Sequence, residues 1–292
     1  VLTGLDWIAV DWGTTALRVH AMGAAGVLAE AASDRGMGVL ARSEFEGALL
    51  SLVGGWLGEG PVEVLACGMV GSRQGWHEAP YRQVPCAPVD AGSLVPVPVR
   101  DARLRLRIVP GLKQEAPPDV MRGEETQIAG AARDGVVCLP GTHAKWAEVS
   151  AGEVVSFQTF MTGELFALLT KQSVLRHGVA EEGEDGAAFD AAVSDALSRP
   201  EKVAARLFGL RAEGLLAGLS PVTARARLSG FLIGMELAGA RPYWLGRAVT
   251  LVGAPALCAL YARALAAQGL AVAVLPARTA TLAGLSGLRG GT

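Results

Sequence analysis

Residues Trp7 to Glu30 read WIAVDWGTTALRVHAMGAAGVLAE, and residues Val136 to Gln158 read VVCLPGTHAKWAEVSAGEVVSFQ. Both stretches run as an apolar strand, a glycine-threonine turn, an alternating strand, a second small turn and a third strand. Setting Gly13 on Gly141 puts Thr14 on Thr142 and Thr15 on His143. One pattern used twice predicts two similar units, each opening with a β-hairpin. Glycine lets a backbone approach an anion closely, and adjacent N–H and hydroxyl groups donate to it, so each hairpin can hold phosphate. Gly13, Thr14, Thr15, Gly141, Thr142 and His143 are therefore the candidate nucleotide contacts. Two such hairpins facing each other would clamp a polyphosphate in a cleft between two lobes.

The remaining chain supplies helices between strands. Phe45, Leu49, Leu52, Val53 and Trp56 give Ser43 to Leu57 the period of an amphipathic helix, with Ser43 as N-cap. Val62 to Cys67 reads as a short strand, and Arg103 to Val109 alternates Leu104, Leu106 and Ile108 against three arginines, a half-exposed strand. A Gly and three Pro between Pro110 and Pro118 suggest the lobe boundary, giving lobes 1–115 and 116–292. In the second lobe, helices are expected over Glu124 to Ala132, Gly163 to Gln172, Ala187 to Leu219, Val222 to Ala240, Pro255 to Gln268 and from Arg278. Strands are expected at Ala248 to Val252 and Ala271 to Leu275. Strands mixed with helices in two similar lobes make an α/β protein. The small residues of TATLAGLSGL suit a last helix packed closely on a neighbour.

The DWGTT opening, followed by a second hairpin after a helical stretch, resembles the actin, hexokinase and Hsp70 superfamily of phosphotransferases. Four further segments narrow the match: GMVGSRQGWHEAPY (Gly68 to Tyr81), MRGEETQIAGA (Met121 to Ala131), LPGTHAKW (Leu139 to Trp146) and TFMTGELF (Thr159 to Phe166). Together they resemble the 2-dehydro-3-deoxygalactonokinase family, in order along nearly the whole chain. The resemblance implies a two-lobed, duplicated ribonuclease H-like fold with an interdomain cleft. It also implies ATP and Mg2+ as cofactors and phosphorylation of the 6-hydroxyl of 2-dehydro-3-deoxy-D-galactonate. A kinase for another sugar acid, or an actin-type ATPase switch, stays open at this point.

Asp11 ends an apolar strand just before the first glycine turn. A carboxylate there can hold magnesium through water while the turn donates to the β- and γ-phosphates. The second hairpin has Pro140 where the first has its acid, so only one carries a metal-holding carboxylate. Lys145 on its alternating strand reads as a solvated residue. Neither G-x-x-x-x-G-K-[ST] nor G-x-G-x-x-G occurs at a strand-to-helix junction, which leaves the hairpins as the route to a nucleotide. Small residues Gly253 and Ala254, between a buried strand and a helix, are candidates to lie against the adenosine.

Met121 to Gln127 sets Arg122, Glu124 and Glu125 at a helix start. The resemblance implies a carboxylate there that accepts the sugar hydroxyl's proton, with Glu124 and Glu125 both eligible. Acidic residues in a first helical turn are also favoured by the helix dipole alone. In the loop Gly71 to Trp76, Arg73 can match a sugar-acid carboxylate at two points, Ser72 and Gln74 can donate to it, and Trp76 can cover an apolar face. Gly36, Met37 and Gly38, after the third strand, are candidates to line the same site.

The chain has 292 residues, 51% hydrophobic, with 18% charged and a net charge of −2. That balance argues against a nucleic acid partner and for a small-molecule ligand, here ATP and a sugar acid; a homo-oligomer is compatible with it. The four cysteines are far apart and lack CxxC spacing, so reduced thiols are expected. Asp6 and Asp11 interrupt the first apolar run and no stretch reaches the length of a membrane span, so a cytoplasmic location without membrane contact is expected.

Overall fold

Nearly every residue of Trp7–Trp12 (β1) is buried, as befits a central strand covered on both faces. The computed structural model describes residues 1–131 and 134–289. Leu17–Gly23 (β2) and Gly26–Ser33 (β3) follow β1 as antiparallel neighbours. After the helix Phe45–Val53 (α1), Val62–Gly68 (β4) pairs parallel with β1 on its other side. Arg82–Gln83 (β5) belongs elsewhere, whereas Val95–Pro96 (β6) and Leu104–Ile108 (β7) complete the sheet in the order β3-β2-β1-β4-β7-β6. One sheet face, with Ile8, Val10 and Trp12, packs under Phe45 and Leu49 of α1.

Leu112–Glu115 (β8) and Pro118–Met121 (β9) form a hairpin that joins β5 in a small three-stranded sheet. The helix Glu124–Ala131 (α2) follows, and the expected end at Ala132 lies outside the described residues. Gly135–Leu139 (β10), Ala144–Ser150 (β11) and Glu153–Phe160 (β12) are the second hairpin unit. Then come Thr162–Lys171 (α3), Gly186–Ser198 (α4), Val203–Ala217 (α5), Pro221–Gly239 (α6) and Arg241–Trp244 (α7). Val249–Gly253 (β13), Pro255–Ala266 (α8), Ala273–Pro276 (β14) and Ala277–Gly287 (α9) end the chain. The single helical region expected from Ala187 to Leu219 is two helices, because Pro200 cannot continue α4 and instead opens the turn before α5. Likewise Ser43 does not cap α1; a turn over Arg42–Glu44 precedes it, and Glu44 accepts the Ala41 N–H.

The second sheet has the order β12-β11-β10-β13-β14, with β10–β13 and β13–β14 parallel. That order matches β3-β2-β1-β4-β7, so the chain carries the duplicated ribonuclease H-like fold of the actin and hexokinase type. Its contacts divide it into two compact units. The first comprises Val1–Arg133, Ser150–Ser156 and Ala277–Thr292; the second comprises Asp134–Val149 and Phe157–Pro276. This division falls later than the boundary expected near residue 115. Prolines that would stop a helix are tolerated in a short hairpin, and β8 and β9 carry the first unit through to α2. The last helix, α9, also belongs to the first unit and lies on α2. Close approach is enforced there, since a β-carbon on Gly284 would fall 2.0 Å from the Thr126 carbonyl oxygen.

Candidate active site

Three separate stretches of sequence meet at one glycine in the first unit. β1 and β4 are parallel with Asp11 opposite Cys67 and Trp12 opposite Gly68, so both strands end together. Ligands of open α/β sheets lie off such carboxyl ends. Gly68 has φ 93°, and a β-carbon there would fall 2.7 Å from the Trp12 carbonyl oxygen. One on Gly123, at the start of α2, would stand 3.2 Å from the α-carbon of Gly68. The end of β1, the start of the Gly71–Trp76 loop and the start of α2 are thereby brought to one place.

Asp11 keeps 29% of its side chain exposed and takes a 3.4 Å contact from the Arg18 guanidinium. Burial pushes its carboxyl up, Arg18 pulls it down, and Glu124 raises it further, so the Asp11 and Glu124 charges feel each other. The two glutamates of α2 part company. Glu124 is half-buried and accepts the Arg122 backbone N–H at 3.0 Å. Glu125 is wholly buried, accepts the Gly123 N–H at 2.6 Å and the Thr126 hydroxyl at 3.1 Å. Burial, with Glu124 adding to it, pushes the Glu125 carboxyl to about 8.

A carboxyl that holds its proton at neutral pH makes a poor proton acceptor, which favours Glu124 over Glu125 in that role. It also makes a testable signature. Between pH 4.5 and about 8 the unfolded chain has released this proton and the folded one has not. The folded state then binds more protons, so this group's contribution to stability falls as pH rises through that window. Glu125→Gln keeps an acceptor for the Gly123 N–H but has no proton to lose. The stability difference between wild type and variant should drift in the variant's favour by up to about 1.4 kcal/mol per pH unit. Urea titrations at pH 5.5 and 7.5 check it; parallel behaviour of the two proteins would mean that Glu125 is ionised in the fold.

The first hairpin turn exposes Thr14 and Thr15 and is covered by the strap Gly36 to Gly38. Met37 N–H donates to the Gly13 carbonyl and Gly38 N–H to that of Thr14, both at 2.9 Å. Only glycine fits at position 36, where a β-carbon would lie 2.4 Å from the Thr14 oxygen. Gly36, Met37 and Gly38 therefore join Gly13 to Thr15 rather than the Gly71–Trp76 loop.

In that loop Trp76 is only 8% exposed. Its ring packs on Trp12 and Phe45, with centroids 6.0 and 6.1 Å away, so it turns into the core instead of offering its face to a sugar. An indole of that size is stabilised more by such burial than by lying on a solvated loop. Arg73 is 82% exposed and pairs with Glu78, Gln74 is exposed, and Ser72 is buried.

The second unit repeats the hairpin and its cover. Gly163, at the start of α3, takes the place of Gly36: a β-carbon there would lie 2.3 Å from the Gly141 oxygen, and Glu164 N–H donates to the Thr142 carbonyl at 2.9 Å. Gly141, Thr142, Thr162, Gly163, Phe166 and Ala254 line a cavity of about 410 Å³. Gly253 is buried beside it, with Pro140 against it. A second cavity of about 400 Å³ shares Phe166 and Ser229 and runs on toward Asp185, Arg225 and Arg263. His143 is not among the residues lining either cavity and pairs with Glu164.

Lys145, expected to be solvated, is buried, because both faces of β11 are covered. Its ammonium donates to the His143 carbonyl at 3.1 Å and so braces the turn. Beneath the cavity, the buried Glu236 carboxyl accepts from Trp146 at 2.8 Å and Tyr261 at 2.6 Å; burial raises it, while Thr162 and these two donors pull it down. Thr162, Gly163, Phe166 and Glu236 went unassigned from sequence, although TFMTGELF contains three of them.

Among the described residues no group of three or more His, Cys, Asp or Glu gathers as a metal cluster, no helix is long and apolar enough to cross a membrane, and the four cysteines are free. The family model for 2-keto-3-deoxy-galactonokinase matches residues 11–288. A Rhizobium meliloti (strain 1021) protein named "Probable 2-dehydro-3-deoxygalactonokinase DgoK1" is 43% identical over 96% of this chain and 95% of its own. The Escherichia coli (strain K12) 2-dehydro-3-deoxygalactonokinase is 35% identical over 96% of each. A crystal structure from Sinorhizobium meliloti, of a protein assigned as a 2-dehydro-3-deoxygalactonokinase, superposes with a TM-score of 0.89 at 42% identity, covering 97% of this chain and 95% of that one. With the family model matched over residues 11–288 and relatives 43% and 35% identical along nearly the whole chain, the chain belongs to the 2-keto-3-deoxygalactonokinase family.

Proposed function

We propose that this kinase moves the γ-phosphoryl group of ATP to the 6-hydroxyl of 2-dehydro-3-deoxy-D-galactonate, in the cytoplasm. The observation that carries the reading is the meeting of Asp11, Gly68 and Glu124 at the strand ends of the first unit, with an acceptor loop leaving from the same glycine. Glu124 orients the attacking hydroxyl and takes its proton, while Glu125, holding its own proton, fixes the turn at Gly123. Ser72, Arg73 and Gln74 stand on the loop that receives the sugar acid.

Asp11 has the features a magnesium ion uses: one partly exposed carboxylate beside a glycine turn, suited to an ion that keeps most of its water and takes its other ligands from phosphate. Bound there, magnesium would neutralise charge on the transferring phosphoryl group. Thr14 and Thr15 offer donors for phosphate oxygens in the first unit, where the Gly13 N–H is already taken by the Ala16 carbonyl; in the second unit Gly141 and Thr142 offer the same, with His143 bracing that turn through Glu164. The two adjoining cavities of the second unit each fall in the size range of small-molecule sites, and Ala254 and Phe166 there suit an adenosine.

The test is the position of the phosphate in the product. Phosphorus-coupled NMR of the sugar acid after turnover should show coupling to the C6 protons. Coupling at another carbon would exclude the proposed acceptor.

A further inference from the structure

Among the described residues, three buried side-chain atoms lack any hydrogen-bond partner: Nε and Nη1 of Arg122 and Oγ of Ser72. They belong to two residues that adjoin Gly71. A β-carbon on Gly71 would sit 2.9 Å from Arg122 Nη1, and Ser72 is its chain neighbour. The guanidinium is otherwise held firmly. Nη2 donates to the Ala79 carbonyl at 2.8 Å, and the Tyr81 ring lies 4.3 Å from Cζ.

Arg122 is 7% exposed and Ser72 6%, and no carboxylate forms an ion pair with Arg122 among the described residues. Leaving a buried donor unfilled costs the fold its full desolvation penalty, and more for a charged group. Such vacancies are rare enough in folded proteins that each calls for an acceptor. Here they fall on two residues that adjoin Gly71, one next to Gly123 in the chain and the other on the loop that follows Gly68. Arg73, by contrast, already has Glu78 and points into solvent.

We infer that Arg122 and Ser72 form the subsite for the carboxylate of the sugar acid, which enters by displacing the Gly71 turn from the guanidinium. The inference rests on the proposed substrate class and adds the residues that select an acid over a neutral sugar. A carboxylate supplies the acceptors that these donors lack, and desolvation there makes an uncharged group at the same carbon a poor substitute. Ser72 gives the cleaner test, because its hydroxyl has no partner to lose in the free protein.

Ser72→Ala and Arg122→Lys would be assayed for kcat/KM with 2-dehydro-3-deoxygalactonate and with its C1 amide, alongside KM for ATP and thermal unfolding. Wild type should favour the acid by at least about a hundredfold, as a built hydrogen-bonding site does. Ser72→Ala should melt at the wild-type temperature or above it, keep its KM for ATP, and lower the acid-to-amide ratio several-fold. Arg122→Lys should lower that ratio at least tenfold. Unchanged ratios in both variants, with wild-type turnover of the acid intact, would overturn the subsite and leave the proposed reaction standing. Absence of wild-type turnover with the acid would overturn both.

Discussion

Asp11→Asn should lower kcat at least about a hundredfold, the scale of removing one electrostatic interaction with the transition state. Asparagine fills the same space at the end of β1. The ion pair between Asp11 and Arg18 is long and the guanidinium is 56% exposed, so the change should cost the fold little. Sugar-acid affinity should therefore survive while turnover collapses. Steady-state kinetics at several magnesium concentrations, with calorimetric titration of the sugar acid, separate the two quantities. Full activity at low magnesium would remove Asp11 from the site.

Glu124→Gln is the second large effect. The amide can still accept the Arg122 N–H, so the helix start should persist, but it cannot take a proton. General-base removal costs about 100- to 10,000-fold, and here it should appear in kcat with KM nearly unchanged. The Glu125→Gln variant should be far milder, since that carboxyl is wholly buried and shifted to about 8. If the two variants trade places in folded, purified protein, the proton acceptor is the inner carboxyl.

What was legible in the sequence follows from what is local. The repeated strand–turn–strand units carry their own turn chemistry and alternation, whereas Gly36, Met37 and Gly38, expected beside the sugar-acid loop, are held over the first turn by backbone hydrogen bonds to Gly13 and Thr14. Arg103 to Val109 shows its buried face in its spacing, and the observed strand buries Leu104, Leu106 and Ile108. Properties set by distant packing were not legible. Trp76 and Lys145 look like ligand-facing and surface residues until Trp12, Phe45 and the covered strand β11 bury them. Likewise nothing near Glu236 in sequence announces its partners Trp146 and Tyr261. The division by contacts also falls later than Pro110: a proline-rich stretch marks a turn, and pairing with β5 keeps that turn inside the first unit.

The most direct measurement is ATP turnover by the purified chain with and without 2-dehydro-3-deoxy-D-galactonate, run beside a panel of other keto-deoxy sugar acids. ADP release should be slow alone, rise steeply with that sugar acid, and match phosphorylated product one for one. ATP hydrolysis that is fast and indifferent to every sugar acid would contradict the kinase and make the chain a nucleotide-driven switch instead.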